Sequence, residues 1–384
     1  MSAIKKGYKQ TKVGIIPDYW EVVSLNDGVS FLDHKRKPLK DEDRQKIQGQ
    51  YPYYGASGII DYVNDYIFDE ELILIGEDGA NIIDRSSRLV FLANGKYWVN
   101  NHAHVLKSKQ NFNNYFLCEY LESLKYDKYN TGTAQPKLNK EIVSNIPIIK
   151  PPLKEQEKIA EILTTWDEAI TKQTELLRAK ELQKKALMQK LLSGEVRFSG
   201  FSDEWKEVRI KDIFEITRGY VLAVTEMSQE QTTEYKYPVY SSQTKNNGLT
   251  GYYKDYLFEN CITWTTDGAN AGDVNLRKGK FYCTNVCGVL KSDKGYANQC
   301  IAEILNLVTK NYVSYVGNPK LMNNTMGGIK IKIPKSLPEQ QKIAEVLSLA
   351  DDETNLLKNE LEELKQQKKA LMQKLLTGEV RVKV

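Results

Sequence analysis

Apolar residues recur at a 4-3-4-3 spacing along two long stretches of the chain. In the later one the positions are Ile343, Leu347, Ala350, Thr354, Leu357, Leu361, Leu364, Lys368, Leu371 and Leu375, eight of ten apolar. In the earlier one they are Ile159, Leu163, Trp166, Ile170, Gln173, Leu177, Lys180, Lys184, Leu187 and Leu191, seven of ten apolar. An apolar seam held over about five heptads predicts helices that pair as a coiled coil. Leu, Lys, Glu, Gln and Ala dominate both stretches and favour the helix. Prolines precede each start (Pro151, Pro152, Pro338), and Gly194 and Gly378 stand where a left-handed residue ends a helix. A single helix over residues 154–192 spans roughly 58 Å at 1.5 Å per residue.

The two stretches are copies. Residues 156–198 align with 340–382 without a gap, and 22 of 43 pairs are identical. From Gln183 to Arg197 only Ser193, against Thr377, differs. Weaker matches precede each helix in the same order: a Trp segment (Asp18, Asp203), a YP motif (Tyr51, Tyr237), DGAN (Asp78, Asp267), VLKS and PKL (Pro136, Pro319). The chain is therefore one module written twice, with too long a period for a solenoid.

Between these landmarks, short β-prone runs such as ELILIG, RLVFLA and CITWTT alternate with Gly, Asn and Asp turns. NNYFLCEYLESL and NQCIAEILNLV read as short helices. Each module is expected to be an α+β domain with a mixed, twisted sheet.

Composition narrows the chemistry. The 384 residues carry 54 basic and 50 acidic side chains, a net +4, so a nucleic-acid surface must concentrate its positive charge on one face. No apolar run approaches a membrane span, and the N-terminus shows no apolar leader segment, so a cytoplasmic location is expected. Five cysteines, an odd number, argue against a disulfide framework. Cys283 and Cys287 form a CxxxC without a following His, which favours structural thiols over a metal site. No GxGxxG following a strand, GxxxxGK[ST], GxSxG or HExxH is present. His34, His102 and His104 all lie in the first copy, whereas a duplicated enzyme would carry catalytic histidines twice. No catalytic residue, metal ligand or cofactor site is assigned. What the modules offer is polar loops at matched positions: GASG against SSQTKNNG, and NTGTAQPKLN against YVGNPKLMNN. Any one of them reads equally well as an ordinary turn. Their divergence beside near-identical helices favours recognition.

PPLKEQEKIAEIL at Pro151, SLPEQQKIAEVL at Ser336, both KKALMQKLL[ST]GEVR segments and TGTAQPKLN at Thr131 together resemble the DNA-specificity subunits of type I restriction–modification enzymes, over the whole chain. The second copy departs from the pattern, with GNPKLMN at Gly317. The resemblance implies two target-recognition domains (1–152 and 199–336), each followed by a helical spacer (153–198 and 337–384). It implies that the spacers pair as an antiparallel coiled coil with pseudo-twofold symmetry. It further implies a non-catalytic chain that reads a bipartite site on double-stranded DNA. Two adenine-N6 methyltransferase subunits and ATP-dependent translocase–nuclease subunits would dock on it; S-adenosylmethionine, ATP and Mg2+ would belong to those partners. A coiled-coil adaptor that joins proteins without touching DNA is the alternative. Residues assigned to DNA are Ser57, Asn81, Asn101, Thr133, Gln135 and Lys137 in the first module, and Ser242, Gln243, Asn246, Asn270, Asn285 and Lys320 in the second. The lysines suit phosphates and the amides suit base edges. Beside the seam, Lys184, Lys185, Met188 and Lys190, with their counterparts Lys368, Lys369, Met372 and Lys374, are assigned to partner docking.

Overall fold

The computed structural model describes residues 4–132, 134–242 and 246–384. The heptad stretches are single helices, Leu153–Ser193 and Leu337–Leu376. Each ends one residue or two before its glycine, which takes the left-handed conformation (Gly194 φ 75°, Gly378 φ 71°). The chain divides into two compact units, Met1–Gln173 with Leu361–Val384, and Thr174–Glu360. Both boundaries fall inside a long helix, so each unit contains its own globular region, the start of its own helix and the end of the other.

The first unit holds two four-stranded sheets with different strand orders. One runs Gly58–Val63, Gln48–Gly55, Lys96–Val99, Phe68–Asp69, and the other Val29–Phe31, Ala103–Ser108, Leu72–Gly76, Val90–Ala93. In the second unit the corresponding strands join into one six-stranded sheet: Glu215–Arg218, Cys287–Lys291, Phe258–Thr265, Val274–Cys283, Tyr237–Tyr240, Leu249–Tyr253. Its two central strands are long enough to serve both halves because a bulge is absorbed at Asn260 (φ 50°), whose side chain accepts a bond from the Gly279 amide at 2.8 Å. One sheet in each unit is mixed, as the sequence suggested, and the sheet of Val29–Phe31, Ala103–Ser108, Leu72–Gly76 and Val90–Ala93 is antiparallel throughout. In both units the YP strand pairs parallel with the strand before the next loop (Tyr53 with Trp98, Val239 with Tyr282), and the other pairings in these sheets are antiparallel.

Two short helices, Asn114–Ser123 and Gln299–Val308, start at Asn113 and Asn298, whose side-chain oxygens accept from the third amide beyond. Gln156 and Gln340, both fully buried near the start of a long helix, bond back to the chain around these caps. Capping thus ties each short helix to its long one.

The cores show which helix serves which module. Trp20, Phe116 and Ile148 pack with Ile159 and Leu163, and also with Leu375 and Leu376 from the end of the chain. In the second unit Phe214, Trp264 and Ile331 pack with Ile343, Leu347, Leu191 and Leu192. Ion pairs fix the helix direction within each unit. Lys180 meets Glu353 at 2.6 Å and Lys184 meets Asp351 in the second; Glu155 meets Arg381 and Asp167 meets Lys368 at 2.5 Å in the first. Partner numbers fall as helix numbers rise, so the paired stretches run antiparallel.

Candidate nucleic-acid interface

The ends of the duplicated helices are built into the modules by matching polar seals. In the first unit Glu155 has little exposed side chain. It accepts from Trp20 Nε1 at 3.2 Å and Tyr19 hydroxyl at 2.7 Å, and Arg381 Nη2 lies 3.0 and 2.9 Å from its two oxygens. In the second, Glu339 accepts from Trp205 Nε1 at 3.4 Å, and Arg197 donates to its two oxygens at 2.8 and 2.9 Å. A buried carboxylate is tolerable because a guanidinium and an indole satisfy it. Each arginine belongs to the opposite copy from the glutamate it meets. Gly378 belongs to the first seal too: a Cβ there would come within 2.5 Å of Pro17, and its carbonyl accepts from the Tyr8 hydroxyl at 2.8 Å.

Away from the helices, loops converge at one end of each sheet. In both units the DGAN turn is zipped to the PKL segment. Gly79 donates to the Pro136 carbonyl at 3.1 Å and Gly268 to that of Pro319 at 2.9 Å. Leu138 and Leu321 return bonds to the carbonyls of Glu77 and Thr266, at 2.7 and 2.9 Å. The bridges Asp78–Lys137 and Asp267–Lys320 complete the match. The second copy's GNPKLMN therefore forms the same zipper as TGTAQPKLN, because the PKL backbone makes it and the flanking residues do not. Lys137 Nζ stands 3.4 Å from Glu77 and Lys320 Nζ 3.6 Å from Asp267, each about half exposed. Such weak, solvent-facing pairs hold a lysine in place and yield it readily to a phosphate.

Around the first zipper, Arg36 donates to Glu77 at 2.7 Å and to the carbonyls of Ala103 and Asn101 at 2.8 and 3.3 Å. His102, half exposed, has Nδ1 2.8 Å from Asp78. His104 is buried, with Nδ1 2.8 Å from Asp33 and Nε2 2.7 Å from the Leu138 carbonyl. Both ring nitrogens thus lie within hydrogen-bond distance of an oxygen. Burial pushes the Asp33 carboxyl up, but His104, the Val105 amide and Arg36 outweigh it and hold the acid below its usual range. These groups brace the loops. The sequence drew attention to His102 and His104 through their absence from the second copy and gave no signal for Asp33 or Arg36.

Of the residues assigned to DNA, Ser57, Asn101, Gln135 and Lys137 are exposed on loops of the first module. Asn246, Asn285 and Lys320 are exposed in the second, and Ser242 and Asn270 are half-buried. Asn81 is a correction. It is only 9% exposed, and its amide is spent on its own loop, accepting from the Ser87 amide at 2.9 Å and donating toward the Arg88 carbonyl. It organises a turn and has no free edge to offer. Thr133 and Gln243 lie outside the described residues.

The docking assignments divide. Lys184 and Lys368 sit at seam positions and pair with Asp351 and Asp167, and Met188 and Met372 pack against the two cores. These four are engaged within the chain, whereas Lys185, Lys190, Lys369 and Lys374 are exposed.

The second module contains a feature the loops did not forecast. Ser241, Asn247, Gly248, Thr265, Asn270, Asp273, Asn275 and Arg277 line a polar cavity of about 220 Å3. Arg277 is 7% exposed. Its Nε donates to Thr263 Oγ1 at 3.0 Å, its Nη2 to the Asn247 carbonyl at 2.7 Å, and its guanidinium lies 3.7 Å from the Tyr240 ring centroid. Burial pushes its pKa below the ordinary arginine value. The five thiols are all buried, and no cluster able to hold a metal ion occurs among the described residues. No helix among them is long and apolar enough to cross a membrane.

Comparison with known proteins gives the duplication a family. The model of the type I restriction modification DNA specificity domain matches twice, over residues 17–179 and 202–366. A candidate type I restriction enzyme specificity subunit of Haemophilus influenzae is 39% identical over 139 residues, 36% of this chain and 35% of that protein. The type I restriction enzyme MjaVIII specificity subunit of Methanocaldococcus jannaschii is 26% identical over 423 residues, covering 96% of this chain and 94% of its own. The crystal structure of the type I restriction–modification S subunit from M. genitalium has the same fold, with TM-score 0.66 at 19% identity, over 93% of this chain and 96% of that one. With a family domain matching each of its two modules, the chain belongs to the type I restriction–modification DNA-specificity subunits.

Proposed function

We propose that this chain reads a bipartite site on double-stranded DNA, one half per module, and carries two methyltransferase subunits and the translocase–nuclease subunits to it. The observation that carries the reading is the pair of loop clusters: one backbone zipper, repeated in both modules, presenting different side chains. A repeated frame with divergent contact residues suits two different half-sites. The chain itself acts by binding. S-adenosylmethionine, ATP and Mg2+ enter with the partners, and the assembly works in the cytoplasm. Ser57, Asn101, Gln135 and Lys137 contact the first half-site; Ser242, Asn246, Asn270, Asn285 and Lys320 contact the second. Lys185, Lys190, Lys369 and Lys374 remain as docking positions, and exposed Leu182, Leu349 and Leu356 add apolar surface on the helices.

Sequencing of modified adenines in cells with and without the gene tests the reading, with a gapped motif expected to vanish on deletion. Helical residues inserted near Thr174 and Lys358 should change the gap and leave both half-sites intact. An unchanged gap refutes the spacer role. A protein adaptor would show no DNA affinity at low salt even with the methyltransferase present, whereas a reader's affinity falls as salt rises.

A further inference from the structure

Arg277 is a buried cation whose place in the first module is apolar. Register identifies its counterpart. Cys261 pairs with Arg277 in the second module as Leu72 pairs with Ala93 in the first, and Thr263 corresponds in the same way to Leu74. The first module fills this place with Ala93 and Leu74, both buried and apolar. The second replaces them with an arginine and the threonine that holds it.

No acidic side chain among the described residues balances that charge. Among the described residues no carboxylate lies within ion-pair distance of Arg277, whose two engaged nitrogens meet a hydroxyl and a carbonyl. The acid in the cavity lining, Asp273, is taken by Lys310 at 2.9 Å. The cavity therefore keeps one positive charge. Buried cations that lack a carboxylate are costly, so an apolar alternative would be favoured unless an anion uses the site. Ser241, Asn247 and Gly248 come from the loop after the YP motif, and Thr265 and Asn270 from the DGAN region, so the cavity opens among the loops proposed to meet DNA.

We propose that this cavity is a phosphate site. Arg277, steadied on Tyr240, receives one backbone phosphodiester of the second half-site, with Asn270 and Asn275 as neutral donors beside it. A phosphodiester carries the single negative charge the cavity lacks, and a guanidinium suits its oxygens. The first module, with Ala93, has no such contact, so the two half-sites are gripped unequally. The inference rests on the DNA-reading proposal above.

The test uses the full chain and a duplex carrying the site mapped by adenine sequencing. Arg277→Gln should weaken binding about tenfold at low salt. It should also make the fall of log K with log salt shallower by about 0.9. Base preference in both half-sites should be unchanged. Arg277→Lys keeps the charge and should restore most of the slope. Because a lone substitution could disturb the core, the double variant R277A/T263L copies the first module's apolar pair, and it should fold and lose the same slope. An unchanged slope in the double variant overturns the proposal, as does relaxed base choice in the second half-site without a slope change. Inorganic phosphate that raises the wild-type melting temperature as much as the duplex does would assign the cavity to a free anion and overturn it too. Wild-type protein that fails to bind the duplex would instead refute the DNA-reading proposal itself.

Discussion

Leu375→Ala offers a direct test of the crossed architecture. Leu375 stands near the C-terminus, contiguous in sequence with the second module, yet it packs in the core of the first beside Trp20 and Leu163. It is 2% exposed, and so is Leu376. Truncating a buried leucine costs about 2–5 kcal/mol, through lost transfer energy and the cavity left behind. A domain of about 5–15 kcal/mol survives this and remains folded while opening more often. Native-state hydrogen exchange reads the effect. At about 1.4 kcal/mol per tenfold, the slowest amides of Leu72–Gly76 and Ala103–Ser108 should exchange roughly 30-fold to several thousand-fold faster. Those of Phe258–Thr265 should keep their wild-type rates. Leu191→Ala, the mirror change, should do the reverse, because Leu191 packs with Trp264 and Leu347. If Leu375→Ala accelerates exchange in the second module and spares the first, the assignment of tails to modules is wrong.

Three further outcomes follow from local geometry. Gly378→Ala should destabilise the first module by more than about 1 kcal/mol, because a left-handed backbone is costly for alanine and its Cβ would approach Pro17 to 2.5 Å; Gly194→Ala, whose nearest neighbour is Trp205 at 3.4 Å, should cost less in thermal melts. The Asp33 carboxyl is held below its ordinary 3.8, so its contribution is fully present above that pH and is lost as pH falls through the lower folded value. Asp33→Asn should therefore lower stability at neutral pH and flatten the acid limb of a pH-unfolding curve, and a limb as steep as wild type would count against the Asp33–His104 pair. Gln135→Ala should relax base choice in the first half-site alone in a selection from random duplexes, whereas equal weakening on all sequences would make it a backbone contact.

The long helices were legible because a 3.5-residue period over five heptads has no competing reading, and the short ones because Asn113 and Asn298 announce their starts. The mixed sheets followed from alternating β-prone runs, but their parallel pairings, one in each unit, did not, since no local signal ties Tyr53 to Trp98 across 44 intervening positions. Asn81 and Asn270 are the same letter in the same motif, yet a short helix, Asn81–Asp84, turns the first inward while the second reaches the cavity. Arg277 escaped notice because a cation in a β-prone run reads as solvent-facing. Its burial is decided by Thr263, Tyr240 and the Asn247 carbonyl, all distant in sequence. The crossing of the tails was hidden for a different reason: two near-identical segments carry no information about which module each serves.

That ambiguity reaches beyond one chain. Gln183–Arg197 and Gln367–Arg381 differ at one position, so the seal around Trp20 and Glu155 cannot tell the tail it normally holds from a tail offered by another molecule. Tethering favours the intramolecular closure, through an effective concentration in the millimolar range. Any loss of a tail, by truncation or proteolysis, leaves a fitted socket. A second molecule ending in the same fifteen residues can then fill it, giving domain-swapped assemblies at a cost set only by concentration. The repeat that lets this chain close on itself is thus also a common connector, through which modules of different address could be paired without redesigning either one.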